Sequence, residues 1–183
     1  MGDLRVVVCG GGAAAGVGKL ISAAVGRGWS VDVTATRTAI EFIDAAEVAR
    51  ISGKPVRTTY KFTADGTRIS PPADAVIVAP ATFNTINKLA QGIADTYALS
   101  SIADVIGRGV PTVVVPAVNE ALANRRPFRQ SIDDLRSEGV RVLFGGSDGW
   151  GPGVPEFPWI KALDLAEEAF GLTMIDSRVA MRS

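Results

Sequence analysis

The feature that most constrains this chain is a short apolar run, residues 4–9 (LRVVVC), that stops abruptly at Gly10-Gly11-Gly12 and passes into an Ala-rich stretch of helical period over residues 13–27. Six residues, five of them apolar, that end at glycines suit a buried strand, and the stretch behind them suits a helix, so the segment predicts strand, tight turn and helix. A second run, residues 30–36 (SVDVTAT), is rich in β-branched residues. Behind it, residues 37–50 place Ile40, Ile43, Ala46 and Val48 at spacings that predict one or two short helices. Runs at residues 75–79 (AVIVA) and 112–115 (TVVV) repeat the device, each expected to end at its proline, Pro80 or Pro116. Further helices are predicted over residues 83–92, from a cap at Asp95 or Thr96 onward, and over residues 131–138 and 159–170, with a last strand at residues 141–144. Residues 60–72 hold Asp65-Gly66 and Pro71-Pro72 and predict a loop with at most a short edge strand. Strands alternating with helices predict a three-layer α/β sandwich with a mostly parallel sheet. Its ligand is expected where the loops after residues 9, 36, 79 and 116 converge at the carboxyl ends of the strands.

A chain of 183 residues fits one hydrophobic core, and the reading is a single domain over residues 1–171 followed by a tail over residues 172–183. Lys plus Arg equals Asp plus Glu at 19 each, so no basic field exists to draw a phosphate backbone or an anionic bilayer, and no nucleic-acid or membrane partner is expected. No apolar run reaches the roughly 20 residues of a membrane-spanning helix. The lone cysteine, Cys9, has no partner for an internal disulfide, and with no signal-peptide pattern this predicts a reducing, cytoplasmic setting. The chain has no histidine, which removes the commonest general base and metal ligand, and no metal site is expected.

Gly10, Gly12 and Ala15 give a G-x-G-x-x-A spacing directly after the first strand. Small residues let the backbone approach a ligand there, and the N–H groups and dipole of the following helix favour a phosphate. The plain alternative is a tight strand-to-helix turn. For NAD an acidic residue should close the second strand, yet the sequence reads Thr34-Ala35-Thr36-Arg37, and Arg37 suits instead the 2′-phosphate of NADP. An NADP-dependent reductase is therefore one reading, and the threonines fit a flavin phosphate equally well. Residues 79–95 (APATFNTINKLAQGIAD) set Thr82, Asn84 and Thr85 at a strand's carboxyl end and a helix's N-terminus, as polar donors or as helix caps. Asp95 is a ligand contact or a cap. Arg125, Arg126 and Arg129 read as a solvated helix face, Cys9 as an inert core thiol, and Trp150 and Trp159 as packing for the last helix or a lid.

The stretch at residues 79–95 resembles the P-[AS]-[ST]-x-N-T motif and the G-I-A-D turn of the flavin-containing cysteine decarboxylases, the family of phosphopantothenoylcysteine and lantibiotic decarboxylases. Pro116-Ala117-Val118-Asn119 is similar to that family's substrate motif P-A-M-N-x-x-M-W, with Val118, Leu122 and Ala123 where the family has Met, Met and Trp. The likeness covers residues 4–143, including Gly26-x-Gly28, Glu41-Phe42-Ile43 and Ser52-Gly53-x-Pro55-Val56. It implies a Rossmann-like (flavodoxin-like) sandwich with FMN held by Gly10, Gly11, Gly12, Thr36, Thr82, Asn84, Thr85 and Asp95, and Asn119 facing the reactive ring. It also implies a homo-oligomer, a trimer or a multiple of trimers, acting on a small-molecule or peptidyl substrate. The family's catalytic His falls closest to Arg68, which cannot accept a proton at neutral pH, and the clamp Cys has no counterpart after residue 143. Two readings follow: an FMN-dependent decarboxylase-like lyase or oxidoreductase, and a non-catalytic FMN-binding regulatory subunit.

Overall fold

The structure, a computed structural model, describes residues 2–180, with the side chains of Arg68 and of residues 174–180 outside the description. Five strands, β1 (Asp3–Val8), β2 (Ser30–Ala35), β5 (Ala75–Ala81), β6 (Thr112–Pro116) and β7 (Arg141–Val142), form one sheet in the order β2-β1-β5-β6-β7. Every pairing in it is parallel. Arg57 adds a parallel bridge to Thr34 on the outer side of β2, where Ala35 N–H donates to the Arg57 carbonyl at 2.8 Å. The chain therefore moves outward from β1 through β2 and returns on the other side at β5. That reversal, between β1 and β5, is where an open α/β sheet leaves a crevice.

Side chains alternate across each strand, and both faces are apolar because both are covered. Leu4, Val6 and Val8 of β1 face a layer made of α1 (Val17–Gly26), α2 (Ala45–Ser52) and α7 (Trp159–Ala180), meeting Leu20, Ile21, Val48 and Leu163. Val7 and Cys9 face the opposite layer of α3 (Phe83–Ala90), α4 (Tyr97–Gly107) and α6 (Arg126–Ser137), meeting Ile86, Ile102 and Leu135. The three-layer, Rossmann-like sandwich read from the sequence is the observed fold, and its main sheet is parallel throughout.

Arg5 interrupts this pattern, for it is buried within β1 on the α4 side. Its guanidinium donates to Ser101 Oγ at 2.8 Å and to the Pro71 carbonyl, fastening the segment ahead of β5 to α4. Burial draws its pKa down, but an arginine starts high enough to stay charged.

Pro80 does not end its strand, contrary to the sequence reading. β5 continues to Ala81, and the residue without an N–H falls in a register shift between Val78 and Ala81, where no ladder donor is required. The Pro80 carbonyl accepts from Cys9 N–H at 3.1 Å. Residues 60–72 form a separate two-stranded ribbon, β3 (Lys61–Phe62) antiparallel to β4 (Arg68–Ile69), instead of an edge of the main sheet. The helix predicted over residues 83–92 ends at Ala90, because Gly92 adopts φ 70° and turns the chain out. At the other end of the chain, α7 passes through Gly171 to Ala180, so the backbone has no break at the expected start of a tail. A single glycine costs a helix about 1 kcal/mol, too little to stop one this long.

Candidate functional site

A cavity of about 400 Å³ opens at the carboxyl ends of β1, β2 and β5, at the reversal of the sheet. From β1 come Cys9 and Gly10, and from the turn after β2 come Thr36, Arg37 and Thr38. The start of α3 supplies Thr82, Asn84, Thr85 and Lys88, and the start of α4 supplies Thr96, Ala98 and Leu99. Polar groups thus converge from three loops, while Ala98 and Leu99 leave one wall apolar. A few fixed polar groups in a largely apolar recess is the usual make-up of a small-molecule site.

Thr82 is the N-cap of α3, its hydroxyl accepting from Thr85 N–H at 3.3 Å. Thr82 Oγ1 lies 3.0 Å from Thr85 Oγ1, which in turn donates to Cys9 Sγ at 3.3 Å. With the Thr85 proton directed to sulfur, Thr82 donates to Thr85, and the hydroxyls form an ordered relay along the cavity floor. Burial pushes the Cys9 thiol pKa up, partly offset by these hydrogen bonds, so the sulfur is a neutral thiol at pH 7 and no nucleophile. Cys9 is buried in the core cluster beneath α3 and α4, and it also borders the cavity.

Gly10 is required by a close approach inside the protein. A Cβ there would stand 2.6 Å from Thr38 Cγ2, so glycine is what lets the turn after β2 close onto the end of β1. Gly11 and Gly12 do not line the cavity, and a Cβ at either position would meet nothing within 4 Å. The expected backbone cradle is thus represented among the lining residues by Gly10 alone. The helix begins there as a 3-10 turn over Gly12–Gly16, and Gly16 also serves packing, since its Cβ would come 2.9 Å from Trp159 Nε1.

Of the other residues expected to hold a ligand, Thr36, Thr82, Asn84 and Thr85 all line the cavity. Asp95 does not; it is exposed and makes a close ion pair with Lys88, which does line the cavity. The cap of α4 is Thr96, whose hydroxyl accepts from Leu99 N–H. Asn119 lies outside the cavity as well. It is the N-cap of α5 (Glu120–Ala123), with Oδ1 accepting from Leu122 N–H at 2.9 Å. The backbone of Arg68 is in β4, and its side chain lies outside the described residues. The sequence reading passed over Thr38 and Lys88 as lining groups. Lys88 follows Thr85 by one helical turn and is placed on the same face by that spacing.

A second cavity, of about 620 Å³, lies farther along the same edge, beyond β6. Glu120, Asn124 and Arg129 line one side, and Phe144, Trp150 and Val154 of the glycine-rich segment line the other. Trp150 Nε1 donates to the Pro116 carbonyl at 2.7 Å, which pins that segment to the end of β6. Trp159 is buried in the core, so neither tryptophan covers the first cavity. Phe128 is buried, stacked on Phe83 of α3 at 5.8 Å and edge-on to Phe144 of the second cavity at 5.3 Å.

The family pattern described as Flavoprotein matches residues 2–163. The chain belongs to the flavoprotein family. Among curated proteins it is similar to the coenzyme A biosynthesis bifunctional protein CoaBC of Mycolicibacterium smegmatis, 30% identical over 174 residues that make up 87% of this chain and 40% of the relative. The CoaBC protein of Borreliella burgdorferi is 30% identical over 144 residues, 76% of this chain and 36% of the relative. The chain thus spans well under half the length of these relatives. Among solved structures it superposes on the FMN-dependent cysteine decarboxylase TvaF from thioviridamide biosynthesis with a TM-score of 0.72 at 22% identity, covering 92% of this chain and 98% of the other. The cypemycin decarboxylase CypD gives a TM-score of 0.69 at 21% identity, covering 93% and 94%. At these identities the solved structures establish the fold. Among the described residues, no helix is long and apolar enough to cross a membrane.

Proposed function

We propose that this flavoprotein-family chain binds FMN in the cavity at the carboxyl ends of β1, β2 and β5, and that it carries out a flavin-dependent decarboxylation or redox step on a small or peptidyl substrate. The observation that supports this most is the convergence of Gly10, Thr36, Thr82, Asn84 and Thr85 on one cavity at the reversal of the sheet. The residues fit the group: hydroxyls, an amide and cationic side chains suit a phosphate and a ribityl chain, and Ala98 and Leu99 suit an apolar ring edge. Gly11, Gly12 and Asp95 belong to the proposed site as neighbours of that lining. When bound, the flavin supplies the redox chemistry. The chain's own residues bind and orient it. Thr82 and Thr85 hold their hydroxyls in a fixed relay, and the neutral Cys9 thiol presents no competing nucleophile.

Substrate is placed in the neighbouring region around Asn119, with Arg68 as an anion-binding group in place of a histidine base. The relatives named as cysteine decarboxylases and as CoaBC proteins support a decarboxylase-like reaction. A homo-oligomer, trimeric or a multiple of trimers, is part of the proposal, and exposed Phe62 on β3 and Ile69 on β4 are apolar surface available for it. The proposed setting is the cytoplasm, where Cys9 stays reduced.

A second reading, a non-catalytic FMN-binding regulatory subunit, is favoured by the absence of histidine and by the use of Asn119 Oδ1 to cap α5. Anaerobic mixing of the FMN-loaded protein with a cysteine-terminated peptide or pantothenoyl cysteine separates the two. Bleaching of the flavin absorption with release of carbon dioxide supports the enzyme. An unchanged spectrum with intact substrate, across both compounds, supports the regulatory subunit.

A further inference from the structure

The proposed flavin cavity receives two cationic side chains, Arg37 and Lys88, and no carboxylate. Lys88 is matched by Asp95. Arg37 enters no ion pair among the described residues and is exposed toward the cavity. Its place is set by the fold: it follows β2 directly, at the start of the short 3-10 turn Thr38–Glu41. Thr36 and Thr38, on either side of it, line the same wall. That wall is held in position from behind. Thr36 Oγ1 accepts from Ala39 N–H at 3.2 Å, and Thr38 closes onto Gly10 where no Cβ would fit. The start of α4 adds the apolar side chains of Ala98 and Leu99 to the lining beside Thr96.

This leaves one guanidinium without an ion-pair partner among the described residues, with two hydroxyls beside it on the same lining loop. A phosphate monoester carries a charge of about −1.5 to −2 at neutral pH and matches a guanidinium in both charge and geometry. The sugar-alcohol end of an unphosphorylated flavin has no charge to offer in exchange for displacing water from that group. We infer that Arg37, flanked by the Thr36 and Thr38 hydroxyls, holds the terminal phosphate and is the residue by which the cavity selects FMN over riboflavin. The inference rests on the flavin reading above and assigns that reading's selectivity to a single side chain.

Fluorescence titrations of FMN and of riboflavin into the flavin-free protein, for the parent and for Arg37→Gln and Arg37→Lys, test it. Arg37→Gln is expected to weaken FMN binding roughly tenfold, the usual size of one lost charge-assisted contact, while riboflavin affinity stays within about twofold. Arg37→Lys is expected to recover part of the loss, and the parent's preference for FMN is expected to shrink as salt is raised. The side chain is exposed, so the variant folds, and unchanged circular dichroism confirms it. FMN affinity within twofold of the parent, or an equal loss for both flavins, overturns the inference while leaving the flavin reading intact. A parent that takes up neither flavin overturns both.

Discussion

Along the carboxyl edge of the sheet, the cavity between β1, β2 and β5 is walled by strand ends and helix caps, whereas the cavity beyond β6 is walled on one side by a glycine-rich segment. In the first, Thr82 and Thr96 each cap a helix, Thr85 bonds to Cys9, and Gly10 is packed against Thr38. In the second, Gly145, Gly149 and Gly153 adopt φ of 112°, 66° and 88°, and neither Glu120 nor Arg129 has an ion-pair partner among the described residues. The difference teaches where the flavoprotein pattern persists. Thr82, Asn84 and Thr85 of the motif P-[AS]-[ST]-x-N-T line the first cavity, where the proposed cofactor would bind. On the neighbouring side, Val118, Leu122 and Ala123 stand where the resembled substrate motif has Met, Met and Trp, and Ala123 lines the second cavity.

The largest effect is expected at a core ring that links α3 to the lining of the second cavity. Phe128→Ala removes a fully buried ring that touches Phe83 on one side and Phe144 on the other, and is expected to cost about 3–5 kcal/mol in urea unfolding. A loss under 1 kcal/mol would mean that α3 and the glycine-rich segment are not joined through this ring. Next, Gly10→Ala forces a Cβ into Thr38 and is expected to cost about 1–3 kcal/mol and to impair FMN uptake. Gly151→Ala places its Cβ 3.9 Å from Phe144, an ordinary contact, and is expected to change stability by less than about 0.5 kcal/mol. Equal effects at both glycines would erase the contrast between a packed and an open wall.

Cys9 gives a pH signature confined to the first region. Its folded thiol pKa is raised by burial, so folding favours the protonated form. That contribution is complete below the unfolded thiol value of about 8.5 and is lost as pH rises from there through the folded value. Unfolding free energy should therefore fall with pH above about 8.5, and Cys9→Ala should flatten the fall. A parent and variant with parallel profiles would show that the thiol is not desolvated. The smallest effect on cofactor binding is expected from Val118→Met with Leu122→Met and Ala123→Trp, which restores the family's substrate motif. FMN affinity should stay within about twofold, and a larger change by titration would show that the second region reaches the flavin.

Much of the fold was legible because local and global signals agree: apolar runs of strand length alternate with helical periods, and both faces of the sheet need covering. Thr82, Asn84 and Thr85 were legible for a similar reason, since one contiguous motif places them on one helix start. Thr38 was not, because its place in the lining depends on where the turn after β2 meets the end of β1, a relation between distant segments, whereas Lys88 could have been read from its one-turn spacing to Thr85. Pro80 misled because proline's missing N–H ends a ladder only where a donor is needed, and the register shift in β5 removes that need. Asn119 was legible as a motif residue, but the same side chain serves as a helix cap, and a sequence does not say which partner an amide takes.

The most direct test of the central claim is the visible absorption spectrum of the purified protein, with mass identification of whatever denaturation releases. Flavin bands near neutral pH, with FMN released or taken up on reconstitution at about one per chain, are the predicted result. A colourless protein that takes up no FMN would contradict the account.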